Sequence, residues 1–217
     1  MELSVLRLVE HAIREFARGR PVIIIDDPDR ENEGDLAVAA QFATAPVINF
    51  MMKQGGGLVC MPVVGERLDE LRLPLMVSCP ETDTPQFTVS VDARRCVSTG
   101  VSARDRAATV RTILDRRTTA YDLASPGHLF PLRCAEGGLE ARQGHTEASV
   151  ELARLAGLYP AAVICEVLHE DGDPARPPEL MAVARSQDLA VVNIPDLIAY
   201  RRIISLDAAP ARLPAAG

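Results

Sequence analysis

Val22-Ile23-Ile24-Ile25, then Asp26-Asp27-Pro28-Asp29-Arg30-Glu31-Asn32-Glu33-Gly34-Asp35, then Leu36-Ala37-Val38-Ala39: the reading of these eighteen residues decides the fold. The first four are a short unbroken apolar run, which reads as a buried strand. The last four read as the next strand. The ten between them are a polar stretch. Two successive strands with no helix between them break a strict βα alternation, which favours an α+β domain over a doubly wound sheet.

The remaining elements fit around this pair. Upstream, Leu6, Val9, Ile13 and Phe16 recur at helical spacing, with Ser4 placed to cap the helix. Downstream, Pro46 to Lys53 reads as a helix stopped by Gly55-Gly56-Gly57. Further strands are expected at Leu58–Pro62, Phe87–Val91, Leu129–Leu132, Ala162–Val167 and Ala190–Asn193. Further helices are expected at Ala103–Leu114, Glu147–Ala156, Pro178–Arg185 and Asp196–Arg202. The result is a single compact domain over residues 1–206, a mixed sheet with helices packed around it. The Ala- and Pro-rich stretch 207–217 reads as a disordered tail.

Composition narrows the function. A chain of 217 residues with 47% hydrophobic and 24% charged residues suits one soluble globular domain. It has no apolar run near the ~20 residues of a membrane span and no basic, apolar start of a secretory leader, so no membrane partner is expected. Five widely spaced cysteines (Cys60, Cys79, Cys96, Cys134, Cys165) form no Cys-x-x-Cys pair, which fits buried thiols in a reducing cytoplasm. A net charge of −7 and the absence of Trp exclude a nucleic-acid binder of the usual basic, aromatic kind.

Four segments carry the chemistry. Residues 26–35 place six carboxylates in ten positions. They form either a solvated acidic loop or, because like charges this close repel, a site that gathers a hard cation such as Mg²⁺. Arg142-Gln143-Gly144-His145-Thr146-Glu147 precedes an apolar-periodic helix. Its N–H groups and Arg142 make a phosphate seat, with His145 available to a metal; the plainer reading makes Thr146 a cap and His145 a surface residue. Ser125-Pro126-Gly127-His128 places a His in a turn feeding a strand. Glu166 lies in an apolar strand, a general acid or base if it faces inward and an ordinary surface residue if it does not.

Together these segments resemble the 3,4-dihydroxy-2-butanone 4-phosphate synthase family of riboflavin biosynthesis. The match runs in register from about Gly19 to Arg201. It includes Asp-Arg-Glu-Asn-Glu-Gly-Asp at 29–35, Gly-Leu-Val-Cys at 57–60, Phe-Thr-Val-Ser-Val-Asp at 87–92 and Ser-Thr-Gly-Val-Ser-Ala-Arg-Asp-Arg at 98–106. Pro-Gly-His-Leu-Phe-Pro-Leu at 126–132, Gly-His-Thr-Glu-Ala at 144–148, Cys-Glu at 165–166 and Asp-Leu-Ile-Ala-Tyr-Arg at 196–201 complete it. The resemblance implies a lyase that turns ribulose 5-phosphate into the four-carbon phosphate and formate. It also implies a homodimer with active sites at or near the subunit interface, and two divalent cations, Mg²⁺ or Mn²⁺, in each site. It assigns Glu31 and His145 to the metals and His128, Glu166, Asp35 and Cys60 to catalysis. Arg30, Glu31, Asp35, Thr99, Arg142, Gly144, His145, Thr146 and Glu166 contact substrate, with Glu33 lining the same acidic site.

Three places depart from the family pattern: Ser125 where Arg is usual, the loop 78–86, and Arg176-Pro177-Pro178. The chain stops where bifunctional relatives continue into a GTP cyclohydrolase II domain, so a monofunctional form is expected. A phosphohydrolase of the haloacid dehalogenase type is the rival enzyme, and it needs Asp26 or Asp27 as nucleophile. A catalytically inactive module that holds a sugar phosphate is the rival from outside enzymes.

Overall fold

The computed structural model describes residues 2–78, 84–95 and 97–207. The expected tail beyond residue 207, together with Cys79 and Cys96, lies outside the described residues. The chain runs α1 (Glu2–Ala17), β1 (Val22–Ile25), β2 (Gly34–Ala39), α2 (Ala45–Gln54), β3 (Cys60–Val63), α3 (Gly65–Glu70) and β4 (Val91–Ala93). It continues with α4 (Ala103–Leu114), β5 (Leu123–Arg133), α5 (His145–Leu155), β6 (Ala162–Glu166), α6 (Pro177–Gln187), β7 (Ala190–Asn193) and α7 (Ile194–Asp207).

The strands form one mixed sheet in the order β4-β5-β3-β6-β2-β1-β7. β1 pairs antiparallel with β2 and parallel with β7, and β2 pairs antiparallel with β6. β3 joins β6 to the parallel β5. Both faces are covered, which is why the central strands read as continuous apolar runs rather than alternating ones. Ile23, Ile25, Leu36, Val38, Met61 and Val163 pack with α2, α3, α4 and α6 through Ile48, Met51, Leu68, Val110, Ile113 and Leu180. The other face carries Val22, Ile24, Ala37, Ala39 and Ile164, packed with α1, α5 and α7 through Val9, Phe16, Leu152 and Leu197. A mixed sheet wrapped by helices is the architecture expected.

Several boundaries differ. α1 already begins at Glu2, so Ser4 lies in its first turn and is not its cap. Phe87 and Thr88 make isolated bridges, and the continuous strand starts only at Val91. The cause is Pro131 opposite: it accepts from both the N–H and the hydroxyl of Thr88, at 3.0 and 2.9 Å, but has no N–H to return. α3 went unread because six residues are too few for a helical period to show. β5 is eleven residues long, not four, because β4 pairs with its first half. The register jumps from Asp92↔Ala124 to Val91↔Leu129, so Ser125 to His128 bulge out of the ladder. The Pro-Gly turn expected there is this bulge.

At Gly127 the bulge presses on the neighbouring strand: a Cβ there would collide with the backbone carbon of Val91 and the nitrogen of Asp92. Gly127→Ala should therefore destabilise the protein by about 1–3 kcal/mol, the usual cost of overpacking against groups that cannot yield. Urea unfolding of the variant reads this directly; an unchanged midpoint and slope would mean that β4 moves aside freely.

Candidate active site

The acidic segment is a hydrogen-bonded hairpin loop, exposed at Pro28, Asp29 and Glu31 but closed around one buried carboxylate. Asp26, at the end of β1, is buried, and its carboxylate accepts the N–H of Glu33 at 2.8 Å and of Glu31 at 3.1 Å. Arg30 donates to the same carboxylate at 2.9 Å and also pairs with Glu31 at 2.7 Å. Asp27 accepts the N–H of Asp29 at 2.8 Å, and Asn32 takes the left-handed conformation, φ 55°, which Asn tolerates better than most residues. These bonds turn the chain back into β2 at Gly34.

β2 then presents Asp35 to its neighbour. Asp35 stands opposite Glu166 of β6, and Cys60 of β3 stands opposite Ile164 two residues earlier. Directly paired residues share a face, so Asp35, Glu166, Cys60 and Ile164 all point to the side covered by α5. Glu166 faces inward enough to accept the N–H of Leu58 at 2.7 Å. Gly57 makes room for it: a Cβ there would lie 2.7 Å from the Cβ of Glu166 and closer still to its carboxylate.

α5 supplies the roof. Its N-cap is Gly144, so His145 and Thr146 occupy the first turn, and Thr146 is not the cap. Arg142, buried just before the helix, donates to Glu147 at 2.8 Å, and Glu147 also accepts the N–H of Ala135 at 3.0 Å. The guanidinium is thereby fixed before any ligand arrives.

These elements enclose one cavity of about 340 Å³. Arg30, Glu31, Glu33, Asp35, Cys60, Arg142, His145, Thr146 and Glu166 line it, with Phe87, Leu132, Ile164 and Pro85 as apolar walls. Nearly all the expected site residues therefore meet there, Gly144 standing beside them at the helix start. His128 and Thr99 do not line it. His128 is held elsewhere: its Nδ1 lies 2.7 Å from Asp92 Oδ2, its N–H donates to Asp92 Oδ1 at 3.0 Å, and Arg106 donates to its carbonyl oxygen. The Thr99 loop adjoins it through Gly100, and Asp105 pins that loop by accepting from Ser98 and the Gly100 N–H. Sequence reading missed Asp26, Asp92 and Glu147 as organisers of these residues. Asp92 and Glu147 stood inside quoted motifs, yet nothing in one sequence pairs Asp92 with a His thirty-six positions away.

Burial sets the protonation of the site. It pushes Asp35 from an ordinary 3.8 up to about 7, helped by Glu166, Glu31 and Asp26 and opposed by His145. Burial, then Glu166 and Asp35, push the Cys60 thiol far above its usual range, so it lines the cavity as a neutral S–H and not as a thiolate. Cys60, Cys134 and Cys165 are all free and buried, as expected of reduced thiols.

A divalent cation fits the donors present. Asp26, Glu31 and His145 bring one ligand atom each within 4.8 Å of one another, and the buried Nε2 of His145 has no hydrogen-bond partner in the protein. Hard carboxylate oxygens with a neutral imidazole suit Mg²⁺ or Mn²⁺. Asp26 already accepts three bonds, so Glu31 and His145 are the better ligands, and Asp26 is not available as the nucleophile that a dehalogenase-type hydrolase requires.

Residues 10–200 match the family model described as 3,4-dihydroxy-2-butanone 4-phosphate synthase. The riboflavin biosynthesis protein RibBA of Synechocystis sp. is 52% identical over 197 residues, 89% of this chain and 35% of that protein. The 3,4-dihydroxy-2-butanone 4-phosphate synthase of Pseudomonas aeruginosa is 48% identical over 199 residues, 91% of this chain and 54% of that one. The chain thus spans about half or less of these curated relatives. A crystal structure of a 3,4-dihydroxy-2-butanone 4-phosphate synthase in complex with two magnesium ions superposes with TM-score 0.85 at 40% identity, covering 91% of this chain and 97% of that one. Among the described residues no helix is long and apolar enough to cross a membrane.

The raised Asp35 has a signed consequence for stability. In chelator, the folded protein keeps a proton near pH 5–6 that the unfolded chain, with an ordinary carboxyl, has lost. Stability should therefore fall as pH rises from about 4 to about 7. At about 1.4 kcal/mol per unit the full penalty is on the order of 4 kcal/mol. Asp35→Asn removes it, so the stability gap between variant and wild type should widen across that window in urea titrations. A gap independent of pH would show that Asp35 ionises normally.

Proposed function

Because this chain belongs to the 3,4-dihydroxy-2-butanone 4-phosphate synthase family, we propose that it converts D-ribulose 5-phosphate into L-3,4-dihydroxy-2-butanone 4-phosphate and formate, a step of riboflavin biosynthesis. The observation that carries the reading is the convergence in one cavity of the 29–35 loop, the start of α5 and the Asp35–Glu166 pair.

The phosphate end of the substrate sits at the start of α5, where Arg142 and the N–H groups following Gly144 face the cavity; a helix start and a planar guanidinium both favour an anion. The reaction removes the proton from C3 to give an enediol and expels the C1 hydroxyl. C5 then migrates from C4 to C3, a water replacing the one lost adds to the C4 aldehyde so formed, and C4 leaves as formate while C3 takes up a proton. Several proton transfers in succession need more than one acid–base group. Asp35, poised near 7, and Glu166 stand side by side to exchange them, with His128 as a third. The neutral thiol of Cys60 lines the same space as a hydrogen-bond donor available to substrate. Phe87, Leu132 and Ile164 form the apolar wall of that space. Glu31 and His145 would hold the divalent cations, which would supply Lewis acidity to the developing negative charge. The reading includes a cytoplasmic homodimer of a domain ending near residue 206.

Pure protein incubated with ribulose 5-phosphate and Mg²⁺ should release formate in step with substrate loss. EDTA should stop it and added Mg²⁺ or Mn²⁺ should restore it. Inorganic phosphate as product would make the protein a hydrolase, and substrate binding with no product would make it a module without activity.

His128 and Thr99 lie outside the cavity within one chain, which supports a site completed by a second copy at a two-fold interface. His128→Ala and Glu31→Ala proteins should each be inactive. Mixed and allowed to exchange subunits, about half the dimers carry one site with both lesions and one with neither, so about a quarter of wild-type activity should return. Demonstrated exchange with no returning activity would place both residues in the same chain's site.

A further inference from the structure

The loop that carries Glu31 is held from two sides, and only one of them belongs to the loop. On the inner side Asp26 accepts the N–H groups of Glu31 and Glu33. On the outer side stands Arg176, 145 residues away from Glu31 in the chain. One terminal nitrogen of its guanidinium donates to the carbonyl oxygen of Glu31 at 2.6 Å and to that of Asn32 at 3.2 Å. The same nitrogen lies 3.7 Å from the Glu33 carboxylate. The backbone of Glu31 is therefore gripped at its N–H by Asp26 and at its C=O by Arg176.

Arg176 is itself braced. The preceding Ala175 donates its N–H to the carbonyl of Val167 at 2.8 Å, just past the end of β6 and Glu166. Its own N–H donates to Glu179 at 3.0 Å at the start of α6, where Pro177 and Pro178 fix the entry of the chain. The anchor thus ties the acidic loop to the strand that carries Glu166. Asn32, which the grip spans, is the left-handed residue of the loop, the point where the backbone most needs outside support.

Resting on the metal reading above, we infer that Arg176 is a positioning residue: it fixes the backbone of Glu31 so that the Glu31 carboxylate and His145 stand ready for a divalent cation. Charge alone argues the opposite way. A cation beside Glu33 opposes the binding of Mg²⁺ or Mn²⁺, so removing it should tighten binding slightly if electrostatics were all that mattered. Loss of an outer hydrogen-bond partner that orients a ligand instead weakens metal binding by about 10–100-fold. The two effects have opposite signs.

The test is Mn²⁺ binding to metal-free wild type, Arg176→Ala and Arg176→Lys, followed by calorimetry or by the spin-resonance signal of free Mn²⁺, with Glu31→Ala as the reference for loss of the site. Arg176→Ala should weaken Mn²⁺ binding by about tenfold or more. Arg176→Lys, which keeps the charge and a single donor nitrogen like the one Arg176 uses, should recover part of the lost affinity and bind Mn²⁺ more tightly than Arg176→Ala. Hydrogen exchange of the metal-free proteins gives a readout independent of the ion: the Glu31 and Glu33 amides should lose protection while sheet amides keep theirs. Equal or tighter Mn²⁺ binding by Arg176→Ala, or unchanged protection of those two amides, overturns the inference. A wild-type protein that binds no Mn²⁺ sinks the metal reading itself, and the exchange arm then still decides whether Arg176 fixes Glu31.

Discussion

A carboxylate with no access to water must find its hydrogen bonds inside the protein, and Asp26 finds them in the loop that follows it. Two backbone N–H groups and one guanidinium close on that side chain, and in doing so they decide where residues 30–33 lie. The turn they create returns the chain as β2 in one register against β1, Ile24 opposite Asp35 and Ile25 opposite Gly34. Everything chemical on β2 inherits its position from that closure. A loop of like charges would otherwise spread into solvent; here Asp26 and Arg30 make its inner side a hydrogen-bonded turn, leaving Glu31, Glu33 and Asp35 to face one cavity.

Register does the rest. The side-chain period of a strand is two, so a slip of one residue would send Asp35 to the opposite face and put Leu36 in its place. One face is filled by Ile23, Leu36, Val38, Met61 and Val163, bulkier than the Ala37 and Ala39 that share the face of Asp35, and this difference in volume pins the register on both faces. The alignment of Asp35, Glu166 and Cys60 is thus enforced largely by residues that never touch the cavity. It places Asp35 and the Cys60 thiol in a buried space beside Glu166, and burial sets the acidity of those two: Asp35 retains its proton up to about 7, and the thiol retains its own throughout the physiological range.

Much of this was legible in the chain. The runs Val22–Ile25, Ala162–Val167 and Ala190–Asn193 are apolar because both faces of the sheet are covered, and that burial is what made them readable as strands. The acidic loop, the start of α5 and Glu166 were recognisable because they are local in sequence. What was not legible depends on pairs far apart. Pro131 breaking the ladder opposite Thr88, β4 extending β5 past Gly127, Arg176 reaching Glu31 and Asp92 holding His128 are each decided by a neighbour dozens of residues away. The plainer of the two readings of Thr146, a cap, does not hold because the backbone begins its helix at Gly144, which has no side chain and so gives no capping signal of its own.

The balance of charge in the cavity bears on what it can hold. Glu31, Glu33, Asp35 and Glu166 line it against Arg30, Arg142 and His145. Both guanidiniums are already matched from behind, Arg30 by Asp26 at 2.9 Å and Arg142 by Glu147 at 2.8 Å. Even with Asp35 protonated, the space is negative before any substrate enters, and a phosphate monoester adds about −1.5 to −2 at neutral pH. The start of α5 offers only about half a positive charge in return. Two anionic partners in so small a volume call for further positive charge, and the Nε2 of His145, unpartnered among the described residues, and the half-exposed Glu31 carboxylate, one oxygen of which pairs with Arg30, are of the kind that bind it. The acidic loop and the phosphate seat would repel each other as independent features. A divalent cation would join them into one site, which ties the proposed metal to the proposed sugar phosphate.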